Sequence, residues 1–207
     1  TTTSDATLVS DFEIVPNDVN LGDVVVSATR NVTKRRLAPT LVNVLDAKIF
    51  DRTQSSFLSQ ALKYQPGVRV EDNCQNCGFS QVRINGLDGP YSQILVDSRP
   101  VYSALAGVYG LEQIPTNMIE RIEVMRGGGS ALFGSSAIAG VINVITKDPT
   151  SSSASFSHEI RGIGGLNTFE NTTNLNATYV TENNKLGITI FGQLHHRSPY
   201  DYTGDGY

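Results

Sequence analysis

The sequence of 207 residues contains no Trp, only two Cys and a small charged fraction of 17%. With two thiols, the chain cannot supply a four-cysteine zinc site. Its 16 basic and 20 acidic residues give a net charge of −4, so it lacks the basic excess typical of nucleic-acid-binding proteins. No apolar run approaches the roughly 18 residues that a membrane-spanning helix needs. The hydrophobic content of 39% is nevertheless sufficient for a folded core.

The charges are distributed unevenly at the N-terminal end. Residues 1–29 hold five acidic side chains and no Lys or Arg, whereas residues 30–36 hold four cations. Such asymmetry is typical of a tail joined to a folded unit, and we interpret residues 1–22 as a flexible tether, with the end of an upstream extension domain as the alternative. The run Val24-Val25-Val26 that follows has a strong β-propensity. It is either the first strand of the domain or a strand that adds to the sheet of a partner.

Residues 31–149 interleave helical and strand patterns. Apolar spacing predicts a short helix at 57–62 that ends before Pro66-Gly67, and a helical turn after Pro115. Short apolar runs divided by Gly- and Asn-rich turns predict strands at 41–45, 68–71, 81–84, 94–96, 121–125 and 141–146. This interleaving predicts an α+β domain with a small mixed sheet and short helices.

Residues 150–207 show a different pattern, in which apolar and polar side chains alternate. The alternation predicts three antiparallel strands, the last two joined by a tight turn at 182–185. It is typical of a transmembrane β-barrel and also of a soluble β-sandwich. Three strands cannot close a barrel, so we expect the remaining strands to lie beyond Tyr207.

Several ordered motifs together carry a family resemblance. Residues 119–134 read IERIEVMRGGGSALFG and continue into VINVITK at 141–147, while VRING at 82–86 and ILVDSRPV at 94–101 lie upstream. In these motifs the chain resembles the plug region of TonB-dependent outer-membrane receptors of the Bacteroidetes type, over residues 21–149. Ser98 stands where that pattern has Gly. The resemblance implies a plug domain at 31–149, the first strands of an outer-membrane β-barrel at 150–207, and no enzymatic activity.

The resemblance also implies partners. Residues 23–30 resemble the TonB box, so a TonB-type energy-coupling protein is expected to bind Asp23, Val24, Val25, Val26, Ser27 and Ala28. The plug would lie inside a barrel in the outer membrane, with the tether in the periplasm. A surface lipoprotein is a further partner that the sequence leaves open, and no nucleic acid is expected.

The resemblance narrows the ligand to a class. Similar receptors import haem, cobalamin or siderophores, so the transported ligand is expected to be a metal complex, with no cofactor intrinsic to the chain. The expected ligand-facing residues lie on plug loops, and they are Asn76, Phe79, Asp88, Tyr91, Tyr102 and Tyr109. The alternative is a stand-alone periplasmic or surface binding module with a structural disulfide and no transport role.

The two cysteines, Cys74 and Cys77, lie between predicted strands with no helix after them. In the oxidising periplasm that the resemblance implies, they favour a structural disulfide. A redox-active pair and a metal site are the alternatives.

Charged residues occur within the predicted apolar strands. Strand alternation places Arg121 and Glu123 on one face of their strand. The family resemblance implies that Arg83 and Arg126 form ion pairs with acidic residues of the barrel wall.

Two further patterns lie near the C-terminal end. His195 and His196 are adjacent on a strand, so only one can enter a lumen. We interpret both as surface imidazoles, and haem or metal ligation is the alternative. Asp201 and Asp205 have the spacing of half a calcium loop, although a surface turn is favoured over a calcium site.

Overall fold

The computed structural model describes residues 24–74, 79–101, 111, 114–163 and 168–198. The elements of the N-terminal unit are β1 Val24–Val25, β2 Thr33–Lys34, β3 Val42–Asp46, α1 Ala47–Thr53, α2 Leu58–Leu62, β4 Val68–Cys74, β5 Phe79–Ile84, β6 Ser92–Val96, β7 Arg99–Pro100, β8 Ile119–Arg126, α3 Ser130–Phe133 and β9 Gly140–Thr146. Three long strands follow, β10 Ser153–Ile163, β11 Thr168–Val180 and β12 Gly187–Arg197.

A five-stranded mixed sheet organises the N-terminal unit, in the order β3-β8-β9-β6-β7. Strands β6 and β9 are parallel, and the other neighbouring pairs are antiparallel. Two smaller pairs accompany the sheet, the β1-β2 ribbon and the β4-β5 hairpin. The predicted small mixed sheet with short helices is therefore confirmed.

Alternation along the central strands divides the core between the two faces of this sheet. Ile122 and Val124 of β8 point into a large cluster that contains the buried residues of α2 and the β4-β5 hairpin. Met125 points into a second, smaller cluster that includes Val25 and Phe133. Because β8 is covered on both faces at its centre, a buried polar side chain there, such as that of Glu123, needs a partner inside the protein.

Helix α1 is an element that the sequence patterns did not predict. It begins at Asp46, whose carboxylate accepts a hydrogen bond from the backbone N–H of Lys48, a normal N-cap arrangement. Phe50 is its one buried residue, so the helix lacks the repeated apolar spacing by which helices are found in sequences.

The turn between β6 and β7 shows how Ser98 replaces a glycine. Asp97 and Ser98 have φ angles of 47° and 64°, a left-handed conformation that favours glycine. The Ser98 N–H donates to Oδ1 of the buried Asn143 at 2.9 Å, and Asn143 Nδ2 donates to the Ser98 hydroxyl at 3.2 Å. The Asp97 carboxylate accepts from the backbone N–H and the hydroxyl of Thr146. Side-chain hydrogen bonds therefore hold this turn in place.

The variant Asn143→Ala is expected to destabilise this turn by about 1–3 kcal/mol, because it removes the acceptor of the Ser98 N–H and leaves a space beneath the turn. Hydrogen exchange of β6 and β9 in the full-length protein measures the loss. Ser98→Gly is the matched control, because it keeps the N–H donor to Asn143. It removes the hydroxyl that accepts from Asn143 Nδ2, but it also relieves the left-handed strain, so the two effects offset each other and stability should stay within about 1 kcal/mol. Equal losses in both variants would contradict this role of Asn143.

Strands β10, β11 and β12 form an antiparallel meander. One face carries exposed apolar side chains such as Phe156, Ile160, Leu175 and Tyr179, as the alternation predicts. The other face presents Glu170, Thr172 and Asn174, which are buried. Of the helices described, none has the length and apolar content to cross a membrane.

Candidate functional site

The predicted coupling segment is docked on the sheet of the N-terminal unit. Val25, Ser27 and Ala28 are buried, and Val25 and Ala28 belong to the smaller core cluster. Val24 and Val25 pair with Lys34 and Thr33, which gives the segment one short strand partner. Asp23, the remaining residue of the predicted segment, lies outside the described residues.

Glu123 of β8 is the polar anchor of this docking. Its Oε2 accepts three hydrogen bonds, from the backbone N–H of Val26 at 2.8 Å, the backbone N–H of Ser27 at 2.9 Å and the Ser27 hydroxyl at 2.7 Å. Its Oε1 accepts from Arg121 Nε at 3.0 Å, and Arg121 also pairs with Glu120. The shared face predicted for Arg121 and Glu123 is thus confirmed.

The environment of Glu123 explains why all these contacts form. The side chain is 0% exposed, and a carboxylate without partners at such a position would carry a large desolvation cost. Three donors and one guanidinium offset that cost, because hydrogen bonds to a charged group are stronger than neutral ones. Glu123 was not among the residues that the sequence patterns and the family resemblance assigned to the coupling site. An acidic residue among Ile122, Val124 and Met125, in a strand buried on both faces, is the signal that points to it.

A second contact lies just beyond the segment. The guanidinium of Arg30 stacks over the ring of Phe133 at 4.9 Å and donates a hydrogen bond to the backbone carbonyl of Leu132. Arg30 has a φ of 59°, so the chain turns sharply between the docked segment and β2. The segment is therefore fixed at both Glu123 and α3.

The two arginines predicted to pair with the barrel wall have different surroundings. Arg83 pairs with Glu71 at 2.6 Å and with Asp88 at 2.7 Å, both within the N-terminal unit. Among the residues that the structure describes, its Nε–H has no acceptor in hydrogen-bond geometry, so the Glu71 contact is an ion pair only. Arg126 packs over Gly67 and makes no ion pair within the described ranges. Pairing of either arginine with a barrel wall remains a prediction.

The C-terminal meander contacts the N-terminal unit through other residues of β10 and β12. The Ser56 hydroxyl donates to Glu159 of β10, and the ring of Phe57 meets that of His195 of β12 edge-on at 4.9 Å. His195 also hydrogen-bonds Thr172 and lies 3.5 Å from Glu170. Both histidines are exposed, in agreement with their interpretation as surface imidazoles, and the ring of His195 also packs edge-on against Phe57.

A cleft of about 1030 Å³ lies between α1 and the inner faces of β10 to β12. Its strand side is lined mainly by hydroxyl and amide groups, those of Ser155, Ser157, Asn174, Asn176, Thr178 and Thr189. Such a lining favours water and hydrophilic solutes.

The predicted ligand-facing residues are described only in part. Asp88 and Tyr91 are exposed at a 3-10 turn that precedes β6, and Asp88 faces Arg83. Asn76, Tyr102 and Tyr109 lie outside the described residues, as do Cys77 and the predicted calcium positions Asp201 and Asp205. Phe79 and Cys74 are placed only as strand positions in β5 and β4. Within the described ranges, no group of three or more His, Cys, Asp or Glu side chains is arranged to hold a metal ion.

Known proteins resemble this chain in sequence. Residues 34–141, more than half of the chain, match the sequence model of the TonB-dependent Receptor Plug Domain family. The vitamin B12 transporter BtuB of Vibrio vulnificus is 37% identical over 140 residues, which cover 67% of this chain and 23% of the transporter.

Solved structures resemble the fold. The siderophore receptor PirA of Acinetobacter baumannii superposes with a TM-score of 0.66 at 23% identity, over 78% of this chain and 25% of the receptor. A mutant of the ferric enterobactin receptor PfeA of Pseudomonas aeruginosa gives a TM-score of 0.60 at 26% identity, over 78% of this chain and 25% of that receptor.

The chain thus spans about a quarter of the length of these relatives. They are a transporter and receptors, which supports a non-enzymatic role and does not favour a stand-alone binding module. The match to the plug model and the α+β sheet followed by an antiparallel meander agree with one another. The chain therefore belongs to the TonB-dependent receptors, which are outer-membrane proteins, and it contains their plug domain followed by the first strands of the barrel.

Proposed function

We propose that this chain is the plug and barrel start of an importer that is driven through residues 23–28. The observation that carries the proposal is the docking of this β-branched segment onto β8, the strand between β3 and β9 in the plug sheet. A TonB-type protein in the periplasm would bind the segment by strand addition, in which backbone hydrogen bonds provide the grip. Force on the segment would then reach the plug through the chain between Ala28 and β2.

The proposed ligand class is a scarce metal complex, with cobalamin as the first candidate. The support for cobalamin is the 37% identity to a vitamin B12 transporter. Siderophores come second, supported by the structural likeness to PirA and PfeA. We place ligand contact at the loops that contain Asn76, Phe79, Asp88, Tyr91, Tyr102 and Tyr109. A disulfide between Cys74 and Cys77 would restrain one of these loops.

An uptake assay tests the proposed ligand class. The full-length receptor is expressed in cells that lack their own receptors, and uptake of labelled cyanocobalamin, haemin and ferric enterobactin is measured. We expect energy-dependent uptake of cyanocobalamin that stops when the proton-motive force is dissipated. Uptake of none of the three would contradict the proposal.

Replacement of residues 24–28 by a Gly-Ser stretch of equal length is expected to abolish uptake while ligand binding at the cell surface stays within about twofold. The reason is that Gly and Ser supply neither the β-propensity nor the buried Val25 that the segment contributes. Binding and uptake are measured on the same cells.

The matched control is Val32→Ser, because Val32 lies close to the segment in sequence and its side chain is 77% exposed. It should import as the wild type does. Normal uptake with the replaced segment would place the coupling site elsewhere.

A further inference from the structure

The docked segment is not an extended strand along its whole length. Val24 and Val25 form β1, but residues 26–30 form a turn in which the Thr29 N–H meets the Val26 carbonyl at 3.4 Å. In an extended strand, neighbouring N–H groups point to opposite sides. Here the N–H groups of Val26 and Ser27 both point at one oxygen of Glu123. Successive N–H groups that converge in this way form a concave site for an anion.

The bend has a consequence for strand addition. A partner that adds a strand to residues 24–28 needs the backbone groups of Val26 and Ser27 in extended geometry, with their N–H groups directed outward. In the docked state the same two N–H groups are occupied by the buried carboxylate. The docked state and the strand-paired state are therefore mutually exclusive at Val26 and Ser27.

We propose that Glu123 is a latch residue, which holds Val26 and Ser27 in a bent conformation that the energy-coupling protein cannot bind. Glu123 acts by positioning the segment rather than by touching ligand. Arg121, at 3.0 Å from the other carboxylate oxygen, orients the Glu123 side chain. This inference rests on the proposed function, because it assumes that the segment is the coupling site.

The location of Glu123 also gives the latch a mechanical role. Strand β8 pairs with β3 on one side and with β9 on the other, and it leads directly into Gly127 and α3. While the latch is closed, the segment is therefore held to an interior strand of the sheet. A pull after it opens is borne by the chain between Ala28 and β2.

Hydrogen exchange of the full-length receptor, detected by mass spectrometry without ligand, tests the latch. In Glu123→Ala, amide exchange of Val26 and Ser27 is expected to accelerate at least about tenfold, the change expected for loss of a hydrogen bond to a charged group. The periplasmic domain of the energy-coupling protein should bind this variant about tenfold more tightly than the wild type.

Two further variants keep the test decisive. Ser27→Ala removes one of the three hydrogen bonds and leaves the Glu123–Arg121 pair intact, so it should accelerate exchange even if Glu123→Ala fails to fold. Glu120→Gln is the matched control. It removes a negative charge from β8 and one ion-pair partner from Arg121, and Glu120 does not contact the segment. Its exchange at Val26 and Ser27 should equal that of the wild type.

Unchanged exchange in both Ser27→Ala and a folded Glu123 variant would overturn the latch. Faster exchange without tighter partner binding would overturn it as well, because the bent state would then not limit strand addition. Failure of the proposed function has a different signature, since the partner domain would then bind neither the wild type nor any variant.

Discussion

Replacing Gly140 with alanine is expected to destabilise the plug sheet by more than about 3 kcal/mol. Single substitutions cause losses of this size when they strain the backbone or overpack the core. Gly140 is the first residue of β9, where it pairs with Arg126 of β8 and Ser92 of β6. Its φ is 155°, a value that residues with a side chain rarely adopt. A Cβ at this position would clash with the backbone carbonyl of Met125 and crowd Ile84.

The clash at Gly140 cannot be relieved by rotating a side chain, because the nearest atom belongs to the backbone of a paired strand. Hydrogen exchange of β8 and β9 in the full-length receptor measures the loss. Gly162→Ala in β10 is the matched control, since no atom lies within 4 Å of the added carbon there and the expected change is within about 0.5 kcal/mol. Wild-type protection of β9 in Gly140→Ala would refute the steric argument.

Replacing Phe57 with alanine is expected to cost about 3–5 kcal/mol, the usual range for the loss of a buried aromatic ring. Phe57 is 1% exposed and immediately precedes α2. Its backbone bridges to Pro115, and its ring meets the His195 ring of β12. The substitution removes packing inside the plug and also an aromatic contact between the plug and the strand meander.

The Phe57 prediction is checked by hydrogen exchange of α2 and by release of the plug under mild denaturant in the full-length receptor. Tyr64→Ala serves as the control, because Tyr64 follows the same helix, is also aromatic and is 55% exposed. The two variants should differ by at least about 2 kcal/mol. A similar small loss of stability in both variants would show that the Phe57 ring contributes little to packing in the plug or to the contact with the meander.

Several elements were predictable because their signals are local. Strand β9 has a continuous β-prone run, and β8 alternates charged and apolar residues from Arg121 to Val124. The meander β10 to β12 has the period of two that a strand with two different faces requires. Helix α1 was missed because one buried residue, Phe50, gives no repeated spacing. The conformation of the turn at Asp97 and Ser98 could not be predicted from the neighbouring residues. The residue that stabilises it, Asn143, is 45 positions away in the sequence.

The candidate site was predictable in its location and not in its contacts. The β-branched run at 24–26 and the family motifs identify the segment, but they leave open whether it is free or docked. The docking depends on Glu123, which is 96 positions from Ser27. Likewise, alternation allows only one of His195 and His196 to point inward, and the contact with Phe57 shows that it is His195.

The sequence alone therefore determined the class of the fold, the order of its units and the family, because these depend on propensity, periodicity and motifs that lie within short stretches. Only the tertiary structure decided which charged groups are buried and what they bind. A carboxylate such as that of Glu123 is stable inside the sheet only when distant donors converge on it. That convergence is a property of the folded chain, and it is what holds the proposed coupling segment in its bent form.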